Sequence, residues 1–345
     1  MLGKRASVDN RQKSALINSV LFVLLAILVM VCLCVGKYSI SPAECIKILW
    51  GNLFNISGDW DVMDENMLMG VRLPRIMAAV IVGAALSLSG AVYQGIFNNP
   101  LVSPDFLGVS SGACIGAAVA ILFAMPSILI QISAFAGGIV AVLLTLLIPR
   151  IMKSGSNIML VLSGIIVGGA MTSILGFIKY IADPETQLAA ITYWQLGSFA
   201  YVDNKAIVAV LPLSVVAAIV MVAMSWWINI LSLGESEARS LGADVRLLRG
   251  TCIVCSTILT AASICISGTI GWVGLVVPHF GRMLVGSDNR VLLPASCLIG
   301  GIFMLLVDTV TRIIGPAEMP VSILTGLIGA PFFAWLLYRQ RRNVR

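Results

Sequence analysis

Long apolar stretches, each of about 20 residues, recur along the 345-residue chain and alternate with short polar segments. A stretch of roughly 20 residues crosses a hydrocarbon layer about 30 Å thick when it is helical. The pattern predicts an all-α fold, a polytopic membrane bundle of about ten transmembrane helices. Because prolines lie at the ends of the fourth stretch and inside the eighth, nine or eleven spans are also possible. The predicted spans are 16–35, 72–96, 107–124, 128–149, 157–178, 206–228, 248–267, 271–286, 291–313 and 319–338.

The polar segments are too short to fold on their own, so residues 1–345 are interpreted as a single transmembrane domain. Residues 1–15 are predicted to be a cytoplasmic tail, 36–71 an outer loop and 229–247 a cytoplasmic loop. A Ser-Pro pair at Ser41 precedes a short apolar run and predicts a surface helix in the outer loop. The first span is too long for a cleavable signal peptide, so none is expected.

Composition and charge agree with a membrane protein. The chain is 59% hydrophobic and 11% charged, with a mean hydropathy of +1.01, which excludes an ordinary soluble domain. Placing both termini in the cytoplasm puts most of the 22 lysines and arginines on the cytoplasmic side. Membrane lipid is thus an expected partner. Because this asymmetry accounts for the net charge of +6, no nucleic-acid partner is predicted.

The eight cysteines and the single histidine do not form a recognisable metal motif. Cys252 and Cys255 have C-x-x-C spacing but lie inside an apolar span, without a second pair. The other cysteines lie within spans, where cysteine packs as a small hydrophobe, except Cys45, which lies in the outer loop without an evident partner. His279 is interpreted as a packing residue. We therefore predict neither a metal site nor a cofactor in this chain.

A short polar segment, LSLGESEARSLG, interrupts two apolar spans in the 229–247 loop. Ser232 and Glu235 match an S-x-x-E capping box, and Glu235 and Arg239 are spaced for an i,i+4 ion pair. Gly242 provides a left-handed stop. These signals predict a helix of about nine residues, over 232–241.

The sides of this predicted helix indicate what it binds. Leu233, Ala238 and Leu241 are expected on one side. The other side carries two glutamates and one arginine, which is poorly suited to anionic headgroups. A protein partner on the cytoplasmic side therefore fits better than a lipid surface.

The segment LSLGESEARSLGADV resembles the cytoplasmic coupling loop of the FecCD/BtuC-like permeases. These belong to ATP-binding-cassette (ABC) importers of iron-siderophores, haem and vitamin B12. Residues 72–113, RLPRIMAAVIVGAALSLSGAVYQGIFNNPLVSPDFLGVSSGA, and 268–296, GTIGWVGLVVPHFGRMLVGSDNRVLLPAS, are similar to further segments of that family. The resemblance covers nearly the whole chain. It implies a permease subunit of a type II importer in the bacterial cytoplasmic (inner) membrane. The implied cargo is an iron chelate, first a ferric siderophore, with haem or cobalamin as alternatives.

The resemblance also implies partners. These are a second permease, identical or paralogous, two ATPase subunits and an extracytoplasmic substrate-binding protein. The chain has no G-x-x-x-x-G-K-[ST] phosphate loop. ATP and magnesium are therefore expected on the partner ATPase, and this chain is not expected to be an enzyme.

Three sets of site residues follow from the resemblance. The first couples to the ATPase, the second docks the binding protein, and the third forms a cytoplasmic gate. The coupling set is Leu233, Gly234, Glu235, Glu237, Ala238, Arg239, Leu241 and Gly242; the docking set is Arg72, Arg75 and Arg312; the gate set is Asn99 and Asn157.

Asp308 is the one clear acid deep within a span, and Arg312 follows it by one helical turn. The spacing favours a structural or docking-support role over a proton relay, because the arginine can neutralise the carboxylate. An ion-coupled secondary transporter remains an alternative, although it would need more titratable groups near the membrane midplane. A receptor that signals through the cytoplasmic helix is a further alternative.

Overall fold

The computed structural model describes residues 2–36, 38–56, 58–153, 157–314 and 318–343, and every regular element in these ranges is helical. A π-helical turn (Asn66–Arg72) joins α3 to α4, and a 3-10 turn (Pro104–Leu107) precedes α5. The α-helices are α1 (Leu2–Cys34), α2 (Pro42–Phe54), α3 (Val62–Glu65), α4 (Leu73–Ile96), α5 (Val109–Leu122), α6 (Ser127–Ile151), α7 (Asn157–Ile181), α8 (Gln187–Leu196), α9 (Asn204–Ala223), α10 (Ser225–Leu231), α11 (Glu235–Ser240), α12 (Val245–Ser267), α13 (Val273–Val285), α14 (Asn289–Ile313) and α15 (Val321–Asn343).

The helices confirm the predicted polytopic bundle. Within the described residues, seven helices are long and apolar enough to cross a membrane. Three shorter apolar helices, Val109–Leu122, Val273–Val285 and Val321–Leu336, accompany them and correspond to the remaining predicted spans. The surface helix predicted after Ser41 is α2, and the Ser41 hydroxyl accepts a hydrogen bond from the Glu44 amide, as an N-cap should.

Helix α1 begins at Leu2, so most of residues 1–15 is helical and continuous with the first span, and the cytoplasmic location of this tail stays a prediction. Two features differ from the prediction. The predicted span 206–228 is divided at Met224 into α9 and α10. Helix α8 was not predicted, because its ten residues are too few to span a membrane and lie between the predicted spans 157–178 and 206–228.

The interior of the bundle consists of α4 and α12. In the most apolar 18-residue segment of each of these helices, 78% of the sequence is buried inside the bundle, against 11% in the corresponding segment of α1. Helix α4 packs against α14, α12, α13 and α9, whereas α1 contacts mainly α14 and α2. The central helices are therefore largely enclosed by protein contacts, whereas α1 leaves most of its apolar surface exposed in the isolated chain.

Glycines allow α4 to touch its neighbours through backbone. A Cβ atom placed on Gly90 would lie 1.8 Å from the carbonyl oxygen of Gly274 in α13. A Cβ atom on Gly83 would lie 2.2 Å from the carbonyl oxygen of Gly300 in α14. Only glycine fits at such contacts, and small residues of this kind let membrane helices approach closely.

The bundle has two ends. One end carries α2, α3 and α8 together with the first turns of α9 and α15, and we call it the α2 face. The other end carries α10 and α11 together with the last turn of α4 and the first turn of α14, and we call it the α11 face. The placement of basic residues predicts that the α11 face is cytoplasmic.

Candidate functional site

Helix α11 is shorter than predicted and starts differently. It covers six residues, Glu235–Ser240, and its N-cap is Gly234, without a side-chain cap. The Ser232 hydroxyl instead donates to the carbonyl oxygens of Gly95 (3.1 Å) and Ile228 (2.8 Å). The predicted capping box is therefore wrong, because Ser232 ends α10 and its hydroxyl contacts α4 and its own helix.

The end of α11 confirms the predicted stop. Gly242 has a φ of +82°, in the left-handed region that favours glycine. The Ala243 amide donates to the Ala238 carbonyl, and the Gly242 amide donates to the Arg239 carbonyl, both at 3.0 Å. This is a Schellman motif, which reverses the chain toward α12.

The apolar residues of the loop do not share one side. Ala238 is fully buried, but Leu233 and Leu241 are 60% and 58% exposed. The prediction that they share a side is wrong because Leu233 lies before the helix and Leu241 is its C-cap, so helical periodicity applies to neither. The two leucines lie at opposite ends of a polar helix and are free to contact a partner.

Glu235 anchors α11 to the next helix. Its carboxylate lies 2.6 Å from Arg249 in α12 and 3.6 Å from Arg239 one turn on. The predicted i,i+4 pair is thus present, but the closer partner is Arg249, whose side chain is largely buried. Arg239 is mostly exposed, so its pair with Glu235 contributes at most about 1 kcal/mol.

Helix α10 fastens the loop to α14. The Asn229 side-chain oxygen accepts from the amide nitrogen (2.9 Å) and the side chain (2.8 Å) of Asn289, and its side-chain nitrogen donates to Asp288 at 2.7 Å. Arg290 lies 4.0 Å from the centre of the Trp226 ring, also in α10. Together with the Ser232 contact to Gly95, these bonds connect the α11 loop to α4 and α14.

Arg75, at the α2 face, binds two carboxylates. Its guanidinium lies 2.9 Å from Asp308 in α14 and 2.8 Å from Glu318, just before α15. Arg312 approaches the same Asp308 carboxylate at 3.4 Å and donates to Thr309. The four charges balance, which supports a structural role for Asp308.

Among the described residues, the hydrogen bonds of Arg72 go to backbone carbonyl groups and not to a carboxylate. Its guanidinium donates to the carbonyl oxygens of Leu33 (2.6 Å), Cys34 (3.1 Å) and Tyr38. The π-helical turn that ends at Arg72 aims the side chain at the end of α1, where helical carbonyls lack partners. Arg72 therefore caps α1 from a neighbouring helix.

The three arginines of the docking set are buried in the isolated chain. Arg72, Arg75 and Arg312 are 4%, 5% and 9% exposed. They cluster at the α2 face, as the sequence predicts, but their guanidinium groups bind within the chain. Their role in docking a binding protein stays a prediction. Either the arginines exchange these internal bonds for bonds to the binding protein, or they act indirectly, by positioning other groups that contact it.

The predicted gate residues lie at the α11 face. Asn99 is exposed, and its side chain accepts a hydrogen bond from the Leu101 amide at 2.9 Å. It lines a cavity of about 350 Å³ together with Val102 and with Ile158, in the first turn of α7. Asn157 begins α7, but its side chain lies outside the described residues. The gate remains a prediction. The structure places the segment around Asn99 and the start of α7 at the same cavity.

A larger cavity of about 920 Å³ opens at the α2 face and was not predicted. Tyr193, Trp194 and Tyr201 give it aromatic walls, and Glu318 is the one charged residue among the described residues that line it. The Val321 amide bonds to the Gly197 carbonyl at 3.0 Å, and the Ser198 amide bonds to the Ser267 carbonyl at 2.8 Å. These bonds tie α8, α12 and α15 together beneath the cavity.

Within the described ranges, histidine, cysteine, aspartate and glutamate do not cluster in groups that could hold a metal ion. The cysteines are free thiols there. The interpretation of Cys45 as unpartnered is wrong, because its sulfur lies 3.6 Å from the sulfur of Cys34. The first turn of α2 folds back on the end of α1, a contact that spacing alone does not predict.

Comparison with known proteins places these features in a family. The model of the FecCD transport family matches residues 24–339. The molybdate import system permease MolB of Haemophilus influenzae is 40% identical over 94% of this chain and 95% of its own. An iron chelatin transport system permease of Helicobacter pylori (strain 26695), named as probable, is 43% identical over 80% of this chain and 83% of its own. A solved structure described as an inward-facing metal-chelate type ABC transporter shares 39% identity, with a TM-score of 0.84, over 94% of this chain and 99% of its own.

Proposed function

Because the chain belongs to the FecCD transport family and is a permease subunit of an ABC importer, we propose that it carries an iron chelate across the bacterial cytoplasmic membrane. The first choice of cargo is a ferric siderophore. The chain supplies the path, and a separate ATPase supplies the work. As in its relatives, the subunit itself is not an enzyme.

The single observation that supports ATP coupling is the placement of α11. The helix stands between α10 and α12, and Glu235 ties it to Arg249 while Leu233 and Leu241 remain exposed. Helix α10, directly before α11, bonds to α4 through Ser232 and to α14 through Asn229, which gives a push on α11 a route into the core of the bundle. An exposed, internally braced helix is suited to receive force from a partner protein.

The cargo is argued from the cavity at the α2 face. Its volume of about 920 Å³ is at the upper end of the range typical for drug-sized ligands. Its lining is aromatic, aliphatic and small, with Gln131 and three serines as neutral polar members, Glu318 as a charged member and, among the described residues, no basic side chain. A bulky chelate fits such walls better than a small oxyanion, which is bound most strongly by cationic donors.

Molybdate is the second candidate cargo. The specific observation in its favour is the 40% identity to the molybdate permease over almost the whole chain. Haem and cobalamin, the other cargoes that the family resemblance implies, share the bulk of a siderophore. All four cargoes use the same membrane path, so a single transport experiment compares them.

The proposal includes partners and orientation. A second permease copy or paralogue would complete the path, two ATPase subunits would bind at α11, and a substrate-binding protein would dock at the α2 face. The α11 face and both termini would lie in the cytoplasm, in agreement with the distribution of basic residues.

The test is transport into proteoliposomes that contain the permease with the ATPase and binding protein encoded beside it. The probes are a hydroxamate and a catecholate chelate of radioactive iron, haemin, cobalamin and molybdate. We expect ATP-dependent uptake of an iron chelate and at least tenfold less uptake of molybdate. Uptake of molybdate alone would overturn the proposal that the cargo is an iron chelate.

Two arginine variants test the coupling helix. Arg239→Glu places a wrong charge on α11, whereas Arg246→Glu makes the same change at an exposed arginine outside it. We expect the first to lose most ATP-driven uptake and the second to retain it. Transport driven by a proton or sodium gradient, without the ATPase, would contradict the whole proposal.

A further inference from the structure

The end of α1 and the first turn of α2 bring two thiols together at the α2 face. The sulfur atoms of Cys34 and Cys45 lie 3.6 Å apart, in contact but not bonded. A disulfide bond is about 2.05 Å long, so the sulfurs need to approach by only about 1.5 Å.

The backbone on both sides of the pair is fixed. Arg72 holds the carbonyl oxygens of Leu33 and Cys34. The Cys45 amide bonds to the Ser41 carbonyl at 2.9 Å in the capped first turn of α2. Neither cysteine can move far from the other without breaking these bonds, so the pair is held in place before any oxidation.

The surroundings separate this pair from the other cysteines. Cys45 is fully buried in a small apolar cluster at the α2 face, with Ile40, Ile48 and Leu68 among its members. Cys34 is only partly buried and can be reached by a partner. Cys252 and Cys255, by contrast, lie within α12, where an exchange protein has no access.

We propose that Cys34 and Cys45 form a disulfide bond in the membrane-embedded protein, placed there by an extracytoplasmic thiol–disulfide exchange protein. The inference rests on the orientation in the proposed function, because disulfides persist in oxidising compartments and not in the cytoplasm.

The chemistry balances with that partner as oxidant. The Cys34 thiolate attacks the partner's disulfide, forms a mixed disulfide and releases one partner thiolate. The Cys45 thiolate then attacks the Cys34 sulfur, closes the internal bond and releases the second partner thiolate. Two S–H bonds are lost from the permease and two protons and two electrons pass to the partner, which becomes a dithiol.

The order of attack follows from exposure. Burial raises the pKa of the Cys45 thiol to about 12, so that very little of it is thiolate at neutral pH. Closure by Cys45 should therefore become faster as the pH rises, because only the thiolate attacks.

The bond would stabilise the α2 face. It closes a short loop between α1 and α2 and adds a covalent tie to the site where Arg72 caps α1. Helix α2 carries the exposed apolar residues Trp50 and Leu53, and the disulfide would restrain the position of that surface relative to α1.

Differential alkylation of the full-length protein tests the proposal. Free thiols are blocked in denatured membranes with N-ethylmaleimide, the sample is reduced, and newly freed thiols receive a mass tag. We expect two tags on the wild type, and a non-reduced peptide that joins Cys34 to Cys45. Cys34→Ser and Cys45→Ser should each remove both tags, whereas Cys252→Ser should retain them. Alkylation of all eight cysteines before reduction would overturn the proposal.

The orientation of the chain in the membrane is measured separately, so that an error in the proposed orientation can be told apart from the absence of the disulfide. Ser240→Cys in α11, in a Cys34→Ser/Cys45→Ser background, is treated with a membrane-impermeant maleimide. Protection in intact cells and labelling in inverted vesicles supports a cytoplasmic α11 face. Labelling in intact cells would overturn the orientation, whereas a protected Ser240→Cys with all wild-type thiols free would overturn the disulfide alone.

Discussion

Arg75 and Asp308 form a buried ion pair that joins α4 to α14 at the α2 face, with a nitrogen–oxygen distance of 2.9 Å. Asp308 is fully buried, and Arg75 also binds Glu318 ahead of α15. A single guanidinium therefore connects three segments of the chain. The pair cannot be removed on one side without leaving an uncompensated charge inside the bundle.

Asp308→Asn is expected to destabilise the protein strongly, since it leaves Arg75 and Arg312 without their shared carboxylate. Loss of one partner of a buried pair costs about 3–5 kcal/mol. The measurement is the thermal unfolding temperature in detergent, which should fall by several degrees. Glu318→Gln is the matched control and should cost less, because the Glu318 side chain is 40% exposed and Arg75 keeps Asp308. Equal losses in the two variants would contradict this ranking.

The exposed leucines of the α11 loop should govern binding of the ATPase. Leu241→Glu puts a charge on a surface that a partner would desolvate, and truncating or charging a central contact costs about 2 kcal/mol or more. We expect the affinity for the ATPase to fall at least tenfold in a pull-down or light-scattering titration. Leu53→Glu makes the same change at an exposed leucine on the opposite face and should not affect that affinity. An unchanged affinity in Leu241→Glu would remove Leu241 from the interface.

Asn229 should determine how efficiently ATP hydrolysis is converted into transport. Asn229→Ala removes three hydrogen bonds between α10 and the start of α14. We expect ATP hydrolysis to continue while the amount of cargo moved per ATP falls several-fold. Ser236→Ala, an exposed change in α11, should leave the ratio unchanged. A parallel fall in hydrolysis and transport would indicate misfolding or lost assembly instead.

Gly90 should not accept any side chain. Its Cβ would overlap the Gly274 carbonyl, so Gly90→Ala must separate α4 from α13 and should cost about 3 kcal/mol or more. Gly250→Ala in α12 meets no atom within 4 Å and should stabilise the helix by about 0.5–1 kcal/mol. Thermal unfolding of the two purified variants should shift in opposite directions. A similar shift in both would show that the helices separate freely.

Much of the fold could be predicted because lipid imposes a simple rule on sequence. Apolar length located the spans, and Ser41 and Gly242 marked a helix start and a helix stop correctly. Helix α8 and the break at Met224 could not be predicted in this way. Both depend on contacts with other helices and leave the local apolar pattern nearly unchanged.

The site residues were harder to predict because their partners are distant in sequence. The capping box failed since the Ser232 hydroxyl bonds to Gly95, 137 residues away. Glu235 was assigned to Arg239 although its closer partner is Arg249. Arg75 and Asp308 are 233 residues apart, so spacing alone could not reveal that the pair exists.

The bare backbone contacts of α4 also influence how the bundle moves. Where Gly90 meets Gly274 and Gly83 meets Gly300, the backbones are in direct contact, so α4 has no space to move toward α13 or α14 without moving them as well. Helix α4 has 24 residues and is about 36 Å long, at 1.5 Å per residue. A displacement at Gly95, near one end of the helix, would therefore be carried to Arg75 at the other end together with the helices that touch it.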